Sequence, residues 1–479
     1  MRAAILLDRR SLAPLHRQVY DQWRQGILLG RFRRAERVPS TRELATALSV
    51  SRSTVTQAYD QLIAEGYLES SQGSGTFVCR QLPDELLRPD QTHVAITDET
   101  PPMRLSRYGA GLNDDFSYPP APPPGFIRFT QWRPDLAHFP LSVWRKLLMR
   151  RLRSATPDLF DYAEHSGGLL ELRNEIAAYV ARSRAVRCTP EQVVIVNGSA
   201  QGIDLCARLL LEPGDEVAIE NPGYHGAHRI LAGYGARLRP AGIDENGIVI
   251  RDLGKKARMV YVTPSHQFPT GVAMSLARRL ELIEWSRRHQ AVVIEDDYDS
   301  EYRYSGPPLP ALQGLATGVA VIYIGTFSKV MFPSLRIGYV IAPQSLIARL
   351  RRAKWLADRH TSVPDQAALA DFIAEGHLER HIRRMRRLYG RRRDVLVESL
   401  ERCFGNRAQI RGEAAGMHLL VRFQDERIAE KAEAVKVQLV SSASYYLTEA
   451  PRGEFVLGFS SIGERSIREG IRRLAETIR

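Results

Sequence analysis

Five short runs rich in β-forming apolar residues follow one another between residues 192 and 325, and helical stretches separate them. The runs are QVVIVN (192–197), EVAIEN (216–221), RMVYVT (258–263), AVVIED (291–296) and AVIYIG (320–325). Strands that alternate with helices in this way form parallel sheets covered by helices. The alternation begins after residue 125 and therefore predicts a large α/β domain from there to the C-terminus.

The 479-residue chain is long enough for two or three domains. We predict an N-terminal domain over 1–80, a proline-rich linker over 81–124 and the α/β domain over 125–479. The linker ends in SYPPAPPPG, where proline removes amide donors and restricts the backbone. The alternative is a proline-rich loop inside one domain, which its length disfavours.

Charge and cysteine content restrict the partners only weakly. The formal charge is +13, and residues 1–80 carry 12 Arg and Lys against 7 Asp and Glu. A basic surface attracts nucleic acid but also occurs on ordinary enzymes. The four cysteines have no metal-ligand or disulfide spacing, so we predict no metal site. With no signal segment or apolar span, we expect a cytoplasmic protein that contacts no membrane.

The N-terminal domain shows two helices joined by a tight turn. Ser40 and Glu43 form a capping box at the first helix, and Ser51 can cap the second. The second helix has apolar residues at helical spacing, namely Val55, Ala58, Tyr59, Leu62 and Ile63. A hairpin with a glycine tip follows from about residue 67. The pattern predicts a winged helix-turn-helix.

Short polar side chains remain on the outer face of the second helix, near its N-terminus. They are Arg52, Ser53, Thr56 and Gln57. A recognition helix inserts this turn into the major groove, where such side chains can bond to base edges and phosphates. We therefore expect a double-stranded DNA operator as partner.

Three ordered motifs resemble the winged-helix domain of GntR-family bacterial transcription regulators across residues 11–80. They are PSTRELA (39–45), SRSTVTQAYDQLIAEGYL (51–68) and GSGTFV (73–78). The resemblance implies DNA contacts from Arg42, Arg52, Thr56 and Gly73. We add Ser53 to these predicted contacts because it lies on the same outer face of the second helix.

A single lysine, Lys329, stands in GTFSKVMFPSLRIGYV (325–340), just after the last apolar run. Burial near other cations lowers the pKa of such an amine and lets it form a Schiff base with an aldehyde. Thr326, Ser328 and Arg336 are suited to hold a phosphate beside that aldehyde. An aldehyde with a phosphate describes pyridoxal 5'-phosphate.

Other residues complete this prediction. Asp296 closes the run AVVIED and can pair with a pyridine nitrogen, and Tyr298 follows two residues later. Ser199 and Ala200 begin a helix directly after a strand and a glycine, an arrangement that binds anions. Tyr224 offers an aromatic face to the ring. Each signal is weak alone, and their order in the chain distinguishes them from ordinary caps and surface charges.

The 125–479 segment resembles fold type I aminotransferases, and in particular the aminotransferase-like half of the MocR/GabR subfamily of GntR regulators. DYAEHSGGLLELRNEIAAYVARSRAV, TPSHQFPTGVAMSLARRLELIEW and GTFSKVMFPSLRIGYVIAP carry the resemblance. It implies that Lys329 is the Schiff-base lysine, Asp296 the pyridine partner and Tyr298 the contact to the phenolic oxygen. It also implies a phosphate shell of Ser199, Thr326, Ser328 and Arg336.

Two positions depart from true aminotransferases. Those enzymes usually carry asparagine where this chain has Phe268, and a carboxylate-binding arginine where it has Val456. The second departure speaks against transamination and against a simple amino-acid effector.

The sequence thus predicts a multi-domain fold, an α+β winged helix-turn-helix followed by an α/β fold type I aminotransferase-like domain. The function is a transcription regulator in which an amine or amino-acid effector displaces Lys329 from the cofactor. A homodimer is expected, and the resemblance implies a head-to-tail arrangement. Two alternatives stay open: a regulator of vitamin B6 synthesis that senses the cofactor itself, and a genuine aminotransferase with a DNA-binding domain.

Overall fold

The computed structural model describes residues 5–9, 11, 13–71, 74–86, 103–112, 124–130, 133–162, 167–306 and 309–477. The chain forms two compact units, Met1–Arg104 and Leu105–Arg479. The division falls inside the predicted linker, whose bounds at 81 and 124 stay predictions. Leu82 is buried in the core of the first unit, and Tyr108 lies against Gly233 in the second. The proline run from 117 to 123 lies outside the described residues.

The first unit contains the predicted helices and hairpin. Its elements are α1 (Leu15–Leu28), α2 (Thr41–Leu48), α3 (Arg52–Ala64), β1 (Leu68–Ser71), β2 (Gly75–Val78) and α4 (Pro83–Leu86). The Ser40 hydroxyl accepts from the Glu43 amide at 3.2 Å, and the Glu43 carboxylate accepts from the Ser40 amide at 2.8 Å. Ser51 caps α3 by accepting from the Thr54 amide. The predicted capping box and second cap are therefore confirmed.

Apolar stripes on the three long helices form the core of this unit. On α3, Val55, Ala58, Tyr59 and Leu62 are buried as predicted, while Ile63 is half-buried at the edge. Helix α1 was not predicted as a separate element. It contributes Trp23, which stacks on Phe32. The strands β1 and β2 pair antiparallel, with Ser71 opposite Gly75 at the tip.

The second unit comprises twelve further helices and fourteen strands within the described residues. The helices are α5 (Arg107–Ala110), α6 (Leu141–Arg153), α7 (Leu170–Arg184), α8 (Ser199–Leu210), α9 (His225–Gly233), α10 (Leu276–His289), α11 (Leu312–Leu315), α12 (Gln344–Asp358), α13 (Val363–Ala374), α14 (His377–Phe404), α15 (Ile428–Ala434) and α16 (Glu464–Glu476). The strands are β3 (Ile127–Arg128), β4 (Val193–Val196), β5 (Glu216–Asn221), β6 (Arg237–Asp244), β7 (Gly247–Ile248), β8 (Ala257–Val262), β9 (Val292–Asp297), β10 (Val321–Thr326), β11 (Gly338–Ile341), β12 (Ala408–Arg411), β13 (His418–Phe423), β14 (Val437–Gln438), β15 (Val440–Ser441) and β16 (Glu454–Gly458).

An eight-stranded sheet in the order β4-β11-β10-β9-β8-β5-β6-β7 forms the centre of this unit. The five predicted apolar runs are strands β4, β5, β8, β9 and β10, and the predicted α/β fold is confirmed. Strands β10, β9, β8, β5 and β6 pair in parallel. Strand β11 is an exception to this parallel pairing, because it lies antiparallel between β10 and β4. Only a short connection through Lys329 links β10 to β11, which permits an antiparallel return but no helical crossover.

A smaller antiparallel sheet, β12-β13-β16-β15, follows the long helix α14. Alternate residues of its central strands face opposite sides. Val421 and Phe455 lie on the side buried in the main core. Leu420 and Val456 stand opposite each other in register and share the other side, in a separate buried cluster. None of the helices in the described ranges combines the length and apolar character that crossing a bilayer requires.

Candidate functional site

The predicted residues of the second unit converge where β9 and β10 reach their carboxyl ends, beside the start of α8. Parallel sheets place ligand sites at this edge because several strands and helix N-termini open onto it. Lys329 lies three residues beyond the end of β10 and is half-buried. Burial lowers the pKa of its amine to about 8, Arg336 adds to the shift, and Asp299 and Asp296 partly oppose it. The lysine is therefore far more often neutral than an exposed one.

Asp296 is buried in β9 with one oxygen satisfied and one not. Its Oδ2 accepts from the Tyr261 hydroxyl at 2.6 Å, while its Oδ1 is buried without a hydrogen-bond partner in the described structure. Burial raises the pKa of Asp296 to about 7, Asp297 and Asp299 raise it further, and Tyr261 and Lys329 oppose the shift. A ligand that brings an N–H or a positive charge to Oδ1 would relieve this cost.

A tight cradle lies between the end of β4 and the N-terminus of α8. Gly198 precedes Ser199, the first residue of α8, and has φ of +89°. A side chain there would meet Arg336, since an added Cβ would lie 2.8 Å from its Nη2. The same nitrogen donates to the Asn197 carbonyl at 2.6 Å. Glycine thus lets backbone and guanidinium approach each other, and Ser199 and Ala200 lie in the first turn beside them.

The last residue of β10 and the loop after it each add a hydroxyl. Thr326 is buried, and its Oγ1 accepts from the Ser328 amide at 3.2 Å. The Ser328 Oγ is buried and has no hydrogen-bond partner in the described structure. A buried hydroxyl without a partner is a donor that a phosphate group could use.

Tyr298, Phe268, Val456 and Tyr224 form the apolar side of this region. Tyr298, Phe268 and Val456 belong to one buried cluster, against which the half-buried Tyr224 packs. The position that lacks the usual arginine therefore lies beside the predicted cofactor contacts. Tyr298 has a polar partner as well, because its hydroxyl lies 2.9 Å from Nδ1 of His266.

Several residues that support the site were not predicted from the sequence. Tyr261 holds Asp296. Asn197 is held by Asp358 at 2.5 Å and by Thr361 at 2.8 Å, and this bonding orients the end of β4. Asp358 and Thr361 lie more than 150 residues from Asn197 in the chain, so no local pattern identifies them.

His266, Asp299 and His418 form a buried group whose potential ligand atoms lie within 4.8 Å of one another. The prediction of no metal site rested on the spacing of the four cysteines and did not consider residues 266, 299 and 418. Histidine and carboxylate are ligands that divalent metals accept. The group adjoins Tyr298, whose hydroxyl lies 2.9 Å from Nδ1 of His266.

The predicted DNA-binding residues of the first unit lie around the start of α3. Arg42, Arg52 and Ser53 are exposed and Thr56 is half-buried. Arg52 Nε donates to Thr41 Oγ1 at 3.3 Å, which links α3 to α2. Gly73 lies outside the described residues. Arg37 was not predicted, and its Nε lies 2.8 Å from where a Cβ on Gly75 would stand, near the tip of the wing.

Two protein families match the chain in separate regions. Residues 15–78 match bacterial regulatory proteins of the gntR family, and residues 130–455 match aminotransferase class I and II. The two matches correspond to the two units of the structure.

Full-length relatives combine the same two parts. The chain is 39% identical to the probable rhizopine catabolism regulatory protein MocR of Rhizobium meliloti, over 98% of this chain and 95% of that protein. It is 32% identical to the HTH-type pyridoxine biosynthesis transcriptional regulator PdxR of Corynebacterium glutamicum, over 99% and 98%. Among solved structures, a kynurenine aminotransferase of Pyrococcus horikoshii has a TM-score of 0.71 and 28% identity, covering 78% of this chain and 96% of that one.

Proposed function

The chain belongs to the MocR/GabR subfamily of GntR-family transcription regulators, and we propose that its aminotransferase-like unit binds pyridoxal phosphate and senses an amine. The winged helix would bind an operator, and the amine would act by competing with Lys329 for the cofactor. The observation that carries the proposal is the convergence of a lysine of lowered pKa, an unsatisfied aspartate oxygen and an unsatisfied serine hydroxyl at one sheet edge.

The described residues fit this cofactor. Its phosphate would contact Ser328, Arg336 and the first turn of α8. The Ser328 hydroxyl has no partner in the described structure, and Gly198 leaves room for an anion next to Arg336. Its ring nitrogen would satisfy Oδ1 of Asp296. When bound, the cofactor supplies an aldehyde that reacts reversibly with primary amines.

The protein's own groups prepare that reaction. Lys329 offers a neutral amine near pH 8 because burial disfavours its ammonium form. Asp296 stays next to the ring because Tyr261 holds its other oxygen. A competing amine would release the Lys329 side chain, and the freed lysine would bias the packing of the unit.

We propose that the effector is an amine whose binding does not require an arginine that holds an α-carboxylate. Val456 is fully buried in an apolar cluster at the position where aminotransferases usually carry arginine. An α-carboxylate would therefore meet no cation at this point.

For DNA binding we propose Arg42, Arg52, Ser53, Thr56 and Gly73 as the contacts. We also propose a homodimer, because helix-turn-helix proteins read paired half-sites. The family resemblance implies a head-to-tail arrangement of the two subunits.

A second candidate is control of vitamin B6 synthesis, with pyridoxal phosphate itself as the effector. It is favoured by the 32% identity to a regulator named for pyridoxine biosynthesis. In that case DNA affinity changes on adding the cofactor alone. A third candidate, an aminotransferase, is disfavoured by Val456. Steady-state transamination with a keto-acid acceptor would distinguish such an enzyme from a regulator.

The test combines absorbance with DNA binding. The purified protein is titrated with pyridoxal phosphate, then with primary amines, while the visible absorbance and the operator affinity are recorded at one salt concentration. We expect cofactor absorbance that amines alter, and an operator affinity that follows the amine. Borohydride reduction and peptide mapping should locate the cofactor adduct at Lys329, and an adduct on another lysine would contradict the proposal.

A further inference from the structure

We propose that Lys354 and Asp358 of α12 form a positioning pair that holds the cradle around Gly198 in the shape that binds the phosphate of the cofactor. This inference rests on the proposed cofactor and deepens it. The pair acts through Asn197 and Gln201, which lie on the two sides of the cradle in the chain.

A single carboxylate holds both sides of the cradle. Asp358 Oδ2 accepts from Asn197 Nδ2 at 2.5 Å and from Gln201 Nε2 at 2.8 Å. Asn197 is the residue after β4, and Gln201 lies in the first turn of α8. The carboxylate therefore fixes the end of the strand relative to the start of the helix, and the segment 198–200 lies between these two points.

Asn197 is bonded through its backbone as well as its side chain. Its amide donates to Gln201 Oε1 at 2.8 Å, and its Oδ1 accepts from Thr361 Oγ1 at 2.8 Å. Its carbonyl accepts at 2.6 Å from Nη2 of Arg336, a proposed phosphate contact. The orientation of Asn197, which Asp358 holds, therefore also determines where this guanidinium lies.

The position of Asp358 is unfavourable for a lone carboxylate. Asp358 is the last residue of α12, where the helix dipole disfavours a negative charge, and it bonds to residues on both sides of a proposed anion site. Lys354 is almost fully buried, and its Nζ donates to Asp358 Oδ1 at 2.5 Å. The lysine neutralises the carboxylate, so Asp358 can hold the two amides without repelling a phosphate.

The stability of the fold does not by itself account for this pair. Taking a lysine and a carboxylate out of water costs free energy that their attraction often only offsets, so apolar side chains of similar size would serve a core as well. Both effects act on Lys354, since burial lowers its pKa and Asp358 opposes the shift. An apolar pair, however, could not accept hydrogen bonds from Asn197 and Gln201.

The experiment compares the affinity of the full-length protein for pyridoxal phosphate and for pyridoxal, which has the same aldehyde but no phosphate. Both are titrated by visible absorbance, and borohydride trapping checks that each reacts at Lys329. Asp358→Asn should weaken the binding of pyridoxal phosphate about tenfold and leave the binding of pyridoxal unchanged. The single amide oxygen can face either the Lys354 ammonium or the two amides at the cradle, but not both.

The lysine is tested in the same way. Lys354→Met should also weaken only the binding of pyridoxal phosphate, because it leaves an uncompensated negative charge at the cradle. In the double variant Lys354→Met/Asp358→Asn, the amide oxygen can turn to Asn197 and Gln201. Its affinity for pyridoxal phosphate should therefore recover to within about threefold of the wild type, whereas independent losses would add.

A matched control is available in the same unit. Lys431 Nζ lies 2.6 Å from Asp425 Oδ2, another lysine–aspartate pair, and Lys431→Met should leave both affinities unchanged. If the Asp358 variants do not fold, Thr361→Val replaces them. It removes the donor to Asn197 Oδ1 and should also weaken only the binding of pyridoxal phosphate.

Two results would overturn the proposal while leaving cofactor binding intact. One is an unchanged affinity for pyridoxal phosphate in the folded variants, and the other is an equal loss of affinity for both ligands. Wild-type protein that binds neither ligand would refute the proposed function as well.

Discussion

The amine of Lys329 derives its reactivity from its surroundings. With a pKa of about 8, about a tenth of the amine is neutral at pH 7, against well under a thousandth for an exposed lysine. Only the neutral amine attacks an aldehyde. Capture of pyridoxal phosphate by the apoprotein should therefore accelerate about tenfold per pH unit below pH 8 and level off above it.

Stopped-flow absorbance measures this profile, and Lys329→Arg provides the control, since it should capture no cofactor that borohydride can fix. A rate that continues to rise up to pH 10 would show that the reacting lysine has an ordinary pKa.

Arg52 is exposed at the first position of α3. If it reads a guanine edge, Arg52→Ala should weaken operator binding by about 1–3 kcal/mol more than it weakens binding to random DNA. Arg17, exposed on α1 and paired with Asp21, provides a control for the loss of one positive charge. Affinities are compared at one salt concentration. Equal losses on operator and random DNA would reassign Arg52 to phosphate contact.

At the scale of elements, the face shared by β13 and β16 determines what can enter the site from that side. Leu420 and Val456 lie opposite each other on the two strands, and their side chains make this face apolar. Val456→Arg should let α-amino acids alter the cofactor absorbance at about 10–100-fold lower concentration, because an arginine–carboxylate bond contributes about 1.5–3 kcal/mol.

The control is Val456→Leu, which keeps the face apolar, and thermal unfolding checks that each variant is folded. An unchanged amino-acid dependence in folded Val456→Arg would show that this face does not border the ligand.

At the scale of the whole molecule, regulation requires that the amine and the operator be linked through Lys329. Lys329→Ala should fold and still bind the operator, because a half-buried loop lysine contributes little to the core and the phosphate cradle remains. Its operator affinity should no longer respond to the amine, since a ligand shifts an equilibrium only through differential affinity for the two states.

The measurement is operator affinity with and without amine, for wild type and variant. If the operator affinity of the variant still responds fully to the amine, the effector acts at another site, or the lysine serves only to hold the cofactor.

Features that depend on neighbouring residues could be predicted from the amino-acid sequence. The capping box at Ser40, the apolar stripe of α3 and the five buried strands follow from local periodicity and hydrogen bonding. The order of motifs around Lys329 and Asp296 was sufficient to predict the family.

Contacts between distant segments could not be predicted in this way, because they depend on how the elements pack together. Strand β11 returns antiparallel, Tyr261 holds Asp296 across 35 residues, and His266 meets Asp299 across 33. Periodicity tells which face of a strand is buried, but it does not tell which strands become neighbours. The partner of a buried polar group is set by that neighbourhood, so it appears only once the sheet has assembled.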